Sequence, residues 1–340
     1  MRGKSVRTSI FLASALLVCA ASTGLAQKIN GAGATFPAPI YTKWFIEYSG
    51  QHSGVQISYQ AIGSGGGIRQ VTAQTVDFGA SDGPMTDAQL SESKVKLIHV
   101  PTVLGAVVPI YNLPGVGTDL KFAPDVLADI FAGKIGNWND GRIAKDNPGV
   151  KLPNQDIIVV HRSDGSGTSF IFTDYLSKVS SDWKNSTGTG QSVQWPKGIG
   201  AKGNDGVAGM VRQMPGAIGY VELIYALQNK MSFGLLRNAA GKWVKASVDG
   251  VTEAAASVKS MPADFRVSIT NAPGANAYPI SSFTWLLIPV KAQDPAKGKV
   301  IKDFLYWMLD HGQGEVTSLD YAPLPKSVAD KVRAAIGNVQ

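Results

Sequence analysis

Apolar and polar positions change period several times along the chain. Ile40, Trp44, Phe45 and Tyr48 fall on one face at helical spacing, with Pro37 and Pro39 at the expected first turn. Proline is tolerated there because its missing N–H has no partner in a first turn anyway. Residues 55–62 read as a strand, 68–76 as a short helix and 77–81 as another strand. Residues 157–161 are β-branched and predict a strand, followed by a turn and a helix from 168 to about 179. Residues 205–214 predict a helix that Pro215-Gly216 ends, and 217–221 a strand. Val300, Phe304, Trp307 and Met308 again repeat at helical spacing, with Gly312 as a stop signal. This alternation argues for an α/β fold. Two apolar strand-like segments, 101–111 and 280–289, are the candidates for chain crossings between two domains, which would make one domain discontinuous. No fixed-period repeat is visible, and the Gly/Ser/Thr-rich stretch 185–192 reads as a surface loop.

The first 26 residues have the pattern of a secretory signal peptide. Arg2, Lys4 and Arg7 supply the positive start, residues 10–21 the apolar run, and Gly24-Leu25-Ala26 the small residues before cleavage. Twelve apolar residues are too few to span a bilayer, which takes about 20. Leu16-Leu17-Val18-Cys19 resembles a lipoprotein signal, but Val18 is bulky where a small residue belongs. Cleavage after Ala26 is therefore expected, and with it secretion across the membrane.

Composition narrows the functional classes. The 340 residues are 44% hydrophobic and 17% charged, enough apolar material for real cores and against global disorder. Gly and Pro total 56, about 16% of the chain and short of a low-complexity composition. Without residues 1–26, 29 Lys and Arg stand against 25 Asp and Glu, a net charge of +4. No basic run interleaved with aromatics appears, so nucleic acid is not an expected partner. A mild positive field suits a small anion. Cys19 is the single cysteine, which excludes a disulfide framework and any CxxC site.

Three glycine-rich turns stand next to predicted helix starts. The first is 31–39, GAGATFPAP, where Thr35 is expected at or just before the helix. Its hydroxyl and the neighbouring N–H groups could face an anion, or simply cap the helix. The second, Gly63-Ser64-Gly65-Gly66-Gly67, could gather backbone N–H groups into an anion nest or be a flexible turn. The third, 162–169, RSDGSGTS, is the most informative. It combines a planar guanidinium, hydroxyls and exposed N–H groups at a helix N-terminus. Arg162 and Asp164 are two apart, so the carboxylate can hold the guanidinium. Asp82, at a strand end before Gly83-Pro84, could cap a turn. It could also accept a proton that the anion still carries. No P-loop, GxSxG elbow or HExxH motif is present. His52, His99, His161 and His311 are isolated and read as surface or structural, and the seven Trp as packing.

Taken together, these segments resemble the periplasmic phosphate-binding proteins of bacterial high-affinity phosphate ABC transporters. The resemblance rests on GAGATFPAP at 31–39, the glycines at 63–67, VDFGASD at 76–82, GKI at 133–135, RSDGSGTSF at 162–170, KGNDG at 202–206 and PGAIGYVE at 215–222. They keep their order over most of the chain after residue 26. The resemblance implies a two-lobed periplasmic-binding-protein fold of type II, with the ligand cleft between the lobes and two crossing strands as hinge. One lobe is then expected from 27–105 plus 284–340 and the other from 106–283. It also implies the ligands of one dehydrated phosphate: Thr35, Phe36 through its N–H, Ser64, Asp82, Arg162, Ser166, Gly167 through its N–H, and Thr168. Asp164 matches the acidic partner of the binding arginine. Gly65, which is Ser in some members, is expected to alter loop flexibility rather than ligand count.

The implied role is capture of inorganic phosphate and delivery to the inner-membrane permease subunits and ATPase, by a monomer without cofactor or metal and without enzymatic activity. Phosphate keeps a proton at neutral pH and sulfate does not, so Asp82 disfavours sulfate. Arsenate, equally protonated, stays open as a ligand. A secreted phosphate-ester hydrolase would need a nucleophile–base pair or metal set that the sequence does not display. A surface adhesion protein with an incidental anion site is the remaining reading.

Overall fold

A computed structural model describes residues 27–340; the expected signal peptide, its cleavage point and Cys19 lie outside the described residues. The strands, in chain order, are β1 (Gln27–Gly33), β2 (Val55–Ala61), β3 (Phe78–Ser81), β4 (Leu97–Tyr111), β5 (Lys121–Phe122) and β6 (Ile158–Arg162). They continue with β7 (Ile199–Ala201), β8 (Ala217–Glu222), β9 (Ser232–Phe233), β10 (Leu235–Arg237), β11 (Trp243–Val244) and β12 (Ser281–Pro289).

The main sheet runs β2-β1-β3-β12-β4-β8-β6-β7, with β9 alongside β4; β11-β10-β5 form a small separate sheet. β1 pairs in parallel with β2 and β3, and β6 in parallel with β7 and β8. Parallel neighbours need crossover connections. The helices Ala38–Gln51 and Ser64–Thr72 supply them on one side of the sheet's centre, and Gly167–Val179 and Gly203–Gln213 on the other.

The two apolar crossing segments meet at the centre of this sheet. β4 and β12 run antiparallel from Leu97↔Pro289 to Ala106↔Ser281. Beyond Ala106 the same strand changes partner, and Val107–Tyr111 pairs with β8. Both strands are buried almost throughout, as expected where helices cover a sheet on both faces. The ladder slips between Thr284 and Trp285, which face Val103 and Pro101, so Thr102 is an extra residue in β4. Such bulges bend a strand and redirect side chains.

Apolar packing follows the predicted periodicities. Trp44, Phe45 and Tyr48 turn inward, and Phe45 and Tyr48 meet Phe304 and Trp307 of the helix Pro295–Asp310. In the other half, Phe172 stacks on Tyr220 at 4.4 Å between ring centroids. His99 is buried, its Nε2 accepting the Met85 N–H at 3.0 Å. Burial, aided by the Arg266 charge, holds it near 4, so it is a neutral structural residue. No helix among the described residues is long and apolar enough to cross a membrane.

One element differs from its expectation. The helix predicted at 68–76 begins at Ser64, so Ser64, Gly65, Gly66 and Gly67 form its first turn and are not a loop. Packing explains this use of poor helix formers. A Cβ on Gly67 would lie 2.6 Å from the Ala32 carbonyl oxygen and 2.6 Å from Gly33 Cα. The glycine thus lets the helix lie directly on β1 at the mouth of the site.

Candidate oxyanion site

Each of the segments singled out above follows the C-terminal end of a strand: Thr35 after β1, Ser64 after β2, Asp82 after β3 and Ser166 after β6. Open α/β sheets bind ligands beyond that edge. The fold brings these four ends together. Ser64 Oγ accepts the Gly167 N–H at 3.0 Å and the Asp82 N–H at 3.2 Å. The Gly65 N–H donates to the Gly165 carbonyl at 2.9 Å. Gly65 is therefore a contact between the two glycine-rich segments, where the sequence suggested loop flexibility. Thr35, Phe36, Ser64, Asp82, Arg162, Ser166, Gly167 and Thr168 are all buried. Gly167 has no room for a side chain: a Cβ would fall 2.4 Å from Ser64 Oγ and 2.6 Å from Asp82 Oδ2.

Arg162 is held as the spacing predicts. Its Nε and Nη2 reach Asp164 Oδ1 and Oδ2 at 2.7 and 2.5 Å, a bidentate pair. Its Nη1 donates to Thr168 Oγ1 at 3.3 Å. Burial alone would raise the Asp164 carboxyl, but the hydrogen bonds and charge of Arg162 outweigh it and hold the group below the usual carboxylate range. Asp82 has no such ion pair. Burial pushes it up to about 7, against the Thr284 hydroxyl, the more distant Arg162 charge and Ser64. The Thr284 hydroxyl donates to Asp82 Oδ1 at 2.8 Å, from the point where the β4–β12 ladder slips.

Donors converge on the same place. Ser166 caps the helix Gly167–Val179, its Oγ accepting the Ser169 N–H at 3.0 Å. That leaves the hydroxyl proton available. Thr35 does not cap its helix: Pro37 holds the cap position, with no side-chain bond. Thr35 Oγ1 instead accepts from Asn204 Nδ2 at 2.8 Å, and its carbonyl accepts from the Tyr225 hydroxyl. Among the described residues none accepts the backbone N–H of Thr35, Phe36, Ser64 or Thr168. The arrangement can surround a tetrahedral oxyanion with charge-assisted donors and offer it one carboxylate acceptor. An open groove of about 790 Å³ lined by Asn137, Asp140, Asp156 and Lys197 lies elsewhere and includes none of these residues.

Four participants carry no signal in the sequence. Asn204 sits in KGNDG, which marked the family but not a role. Thr284 lies in an apolar strand. The Tyr220 hydroxyl accepts the Arg162 N–H at 3.1 Å and pairs with Ser169 Oγ. Gln191, in the predicted surface loop 185–192, reaches Ser81 Oγ at 3.3 Å, and its carbonyl takes the Ser166 N–H.

Comparison with known proteins places this geometry. A model of the PBP superfamily domain matches residues 20–311. A phosphate-binding protein PstS of Xylella fastidiosa is 48% identical over 309 residues, covering 90% of this chain and 84% of its own. The chain belongs to the PstS phosphate-binding protein family. A PstS of Pasteurella multocida is 46% identical, covering 92% and 91% of the two chains. One of Methanocaldococcus jannaschii is 41% identical, covering 88% and 83%. Among solved structures, a high-affinity periplasmic phosphate-binding protein (PfluDING) bound with phosphate aligns over 91% of this chain and 93% of its own. Its TM-score is 0.73 and its identity 23%. A phosphate-binding protein of Stenotrophomonas maltophilia aligns over 91% and 94%, with a TM-score of 0.70 and 21% identity. These family relations establish the two-lobed α/β fold of periplasmic binding proteins, with the β4–β12 pair at its centre.

Proposed function

We propose that this protein captures inorganic phosphate in the periplasm and delivers it to the permease subunits and ATPase of an ABC transporter. The observation that carries this reading is the pairing of many buried donors with one buried acceptor, Asp82. In this reading Thr35, Arg162, Ser166 and Thr168 donate to the phosphate oxygens with the Phe36 N–H. Ser64 and the Gly167 N–H join them by exchanging the bonds they make in this structure to Asp82 and to Ser64 Oγ. Asp164 holds the arginine. Hydrogen bonds to a charged group contribute about 1.5–3 kcal/mol each, and a micromolar ligand needs about −8 kcal/mol net. Several such bonds reach that level after ordering costs.

Asp82 supplies selectivity. Monohydrogen phosphate can give its proton to the carboxylate, whereas sulfate would set an oxygen lone pair against it. Missing a required hydrogen bond in a dry site costs about 10⁴–10⁵ in discrimination. Arsenate carries the same proton and passes this test equally.

The change of partner along β4 supports lobes of residues 27–105 plus 284–340 and of residues 106–283, with β4 and β12 crossing between them. Thr35, Ser64 and Asp82 then line one face of the cleft and residues 162–168 the other, so binding draws the lobes together. A closed pair of lobes would present the permease with a surface that an open pair does not. The names of the relatives are those of binding proteins, and a binding role without catalysis fits them.

The test is calorimetric titration of residues 27–340, stripped of bound ligand, with phosphate alone and with excess sulfate present. We expect one-to-one binding, micromolar or tighter, that sulfate leaves unchanged. Folded, ligand-free protein that took up no phosphate would overturn the reading.

A further inference from the structure

Asn204 touches both faces of the site without being one of its expected donors. It is fully buried in the first turn of the helix Gly203–Gln213. Its amide orientation is fixed by its surroundings, because Oδ1 accepts the Glu222 N–H at 3.1 Å. Nδ2 therefore faces the hydroxyls. It lies 2.8 Å from Thr35 Oγ1 and 3.2 Å from Thr168 Oγ1, and each of its two hydrogens serves one of them.

A threonine hydroxyl has one proton and two lone pairs. At Thr35 both lone pairs are taken by Asn204, one by Nδ2 and one by its backbone N–H at 3.3 Å. At Thr168 they are taken by Asn204 Nδ2 and by Arg162 Nη1 at 3.3 Å. Neither hydroxyl has acceptor capacity left, so each can only donate. We propose that Asn204 is a positioning residue that sets both threonine hydroxyls as obligate donors to the bound oxyanion. The proposal rests on the phosphate reading above. It adds that discrimination at this site is built from two opposite devices: hydroxyls prevented from accepting, and a carboxylate, Asp82, that can accept.

Two variants test it. Asn204→Asp keeps the shape and an acceptor for the Glu222 N–H, but the second oxygen now accepts from the hydroxyls and turns their protons away from the anion. Asn204→Ala leaves each hydroxyl only one donor, the residue-204 N–H at Thr35 and Arg162 Nη1 at Thr168, so each regains a lone pair and can accept as well as donate. Phosphate titration should show a loss of about tenfold for the alanine variant. The aspartate variant, with its added like charge, should lose about a hundredfold or more. Unfolding curves of the ligand-free variants would establish that they fold.

The decisive readout is coupling. In a Thr35→Val, Thr168→Val background, where no hydroxyl remains to orient, Asn204→Ala should cost less than twofold further. A full and additive tenfold loss there would show that Asn204 acts by packing and overturn the proposal. So would an Asn204→Ala variant that binds as well as the wild type while the wild type binds phosphate. A wild type that bound no phosphate would instead overturn the phosphate reading, and this proposal with it.

Discussion

The site carries two carboxylates, Asp82 fully buried and Asp164 partly buried, and the fold gives them very different proton affinities. Asp164 sits beside β6 against a bidentate guanidinium and is held ionised. Asp82 follows β3 with a threonine hydroxyl as its nearest partner, and burial lifts it to about 7. Separating the states of two carboxylates in one site is how a protein assigns them different work. Asp164 serves as a strut for a cation. Asp82 has both lone pairs and proton affinity to spare for a ligand. Identical side chains thus differ in role through a bidentate Arg162 on one and full burial on the other.

The largest expected effect comes from removing that difference on the Asp82 side. Asp82→Asn can donate to either anion, so the phosphate-to-sulfate ratio should fall, by up to about 10⁴ if the missing hydrogen bond is the whole basis of discrimination. Competition titrations check this, and an unchanged ratio would sink the role assigned to Asp82. Next comes the other side. Arg162→Ala removes the cation and leaves the partly buried Asp164 without its partner, which should weaken phosphate binding by roughly 10²–10³ with the fold retained. Calorimetry alongside circular dichroism measures both halves of that statement.

The smallest effect sharpens the comparison through stability. Asp82 holds its proton more tightly in the folded chain, at about 7, than an unfolded aspartate does. The stability this proton affinity contributes is present below about pH 4 and lost as pH rises through about 7. Asparagine undergoes no such loss. Relative to wild type, ligand-free Asp82→Asn should therefore gain roughly 2–3 kcal/mol between pH 5 and pH 8. Urea unfolding at the two pH values reads it. A difference independent of pH would mean that Asp82 is not held near neutrality.

Much of this was legible in the chain because local rules and the fold agree. The α/β alternation, the two central apolar strands and the Arg162–Asp164 pair follow from periodicity and from a spacing of two. The glycines at 63–67 misled as a turn because helix propensity disfavours them. The reason they are helical, contact of Gly67 with β1, is tertiary. Thr284 and Asn204 were invisible for a related cause. Thr284 reaches Asp82 across 202 positions of sequence, and Asn204 reaches Thr35 across 169. No local pattern encodes such a meeting.

The shared strand β4 bears on how such a molecule can be taken apart. Its residues up to Ala106 complete one ladder, and Val107–Tyr111 begin another. A cut at that point would leave each ladder its own half of β4, but it would place two new charged chain ends at Ala106 and Val107, both fully buried. The halves are therefore not interchangeable cassettes. Recombination that grafts a new ligand preference onto this scaffold must pass through the loops beyond the strand ends, where the site itself lies, and leave the spine to be inherited whole.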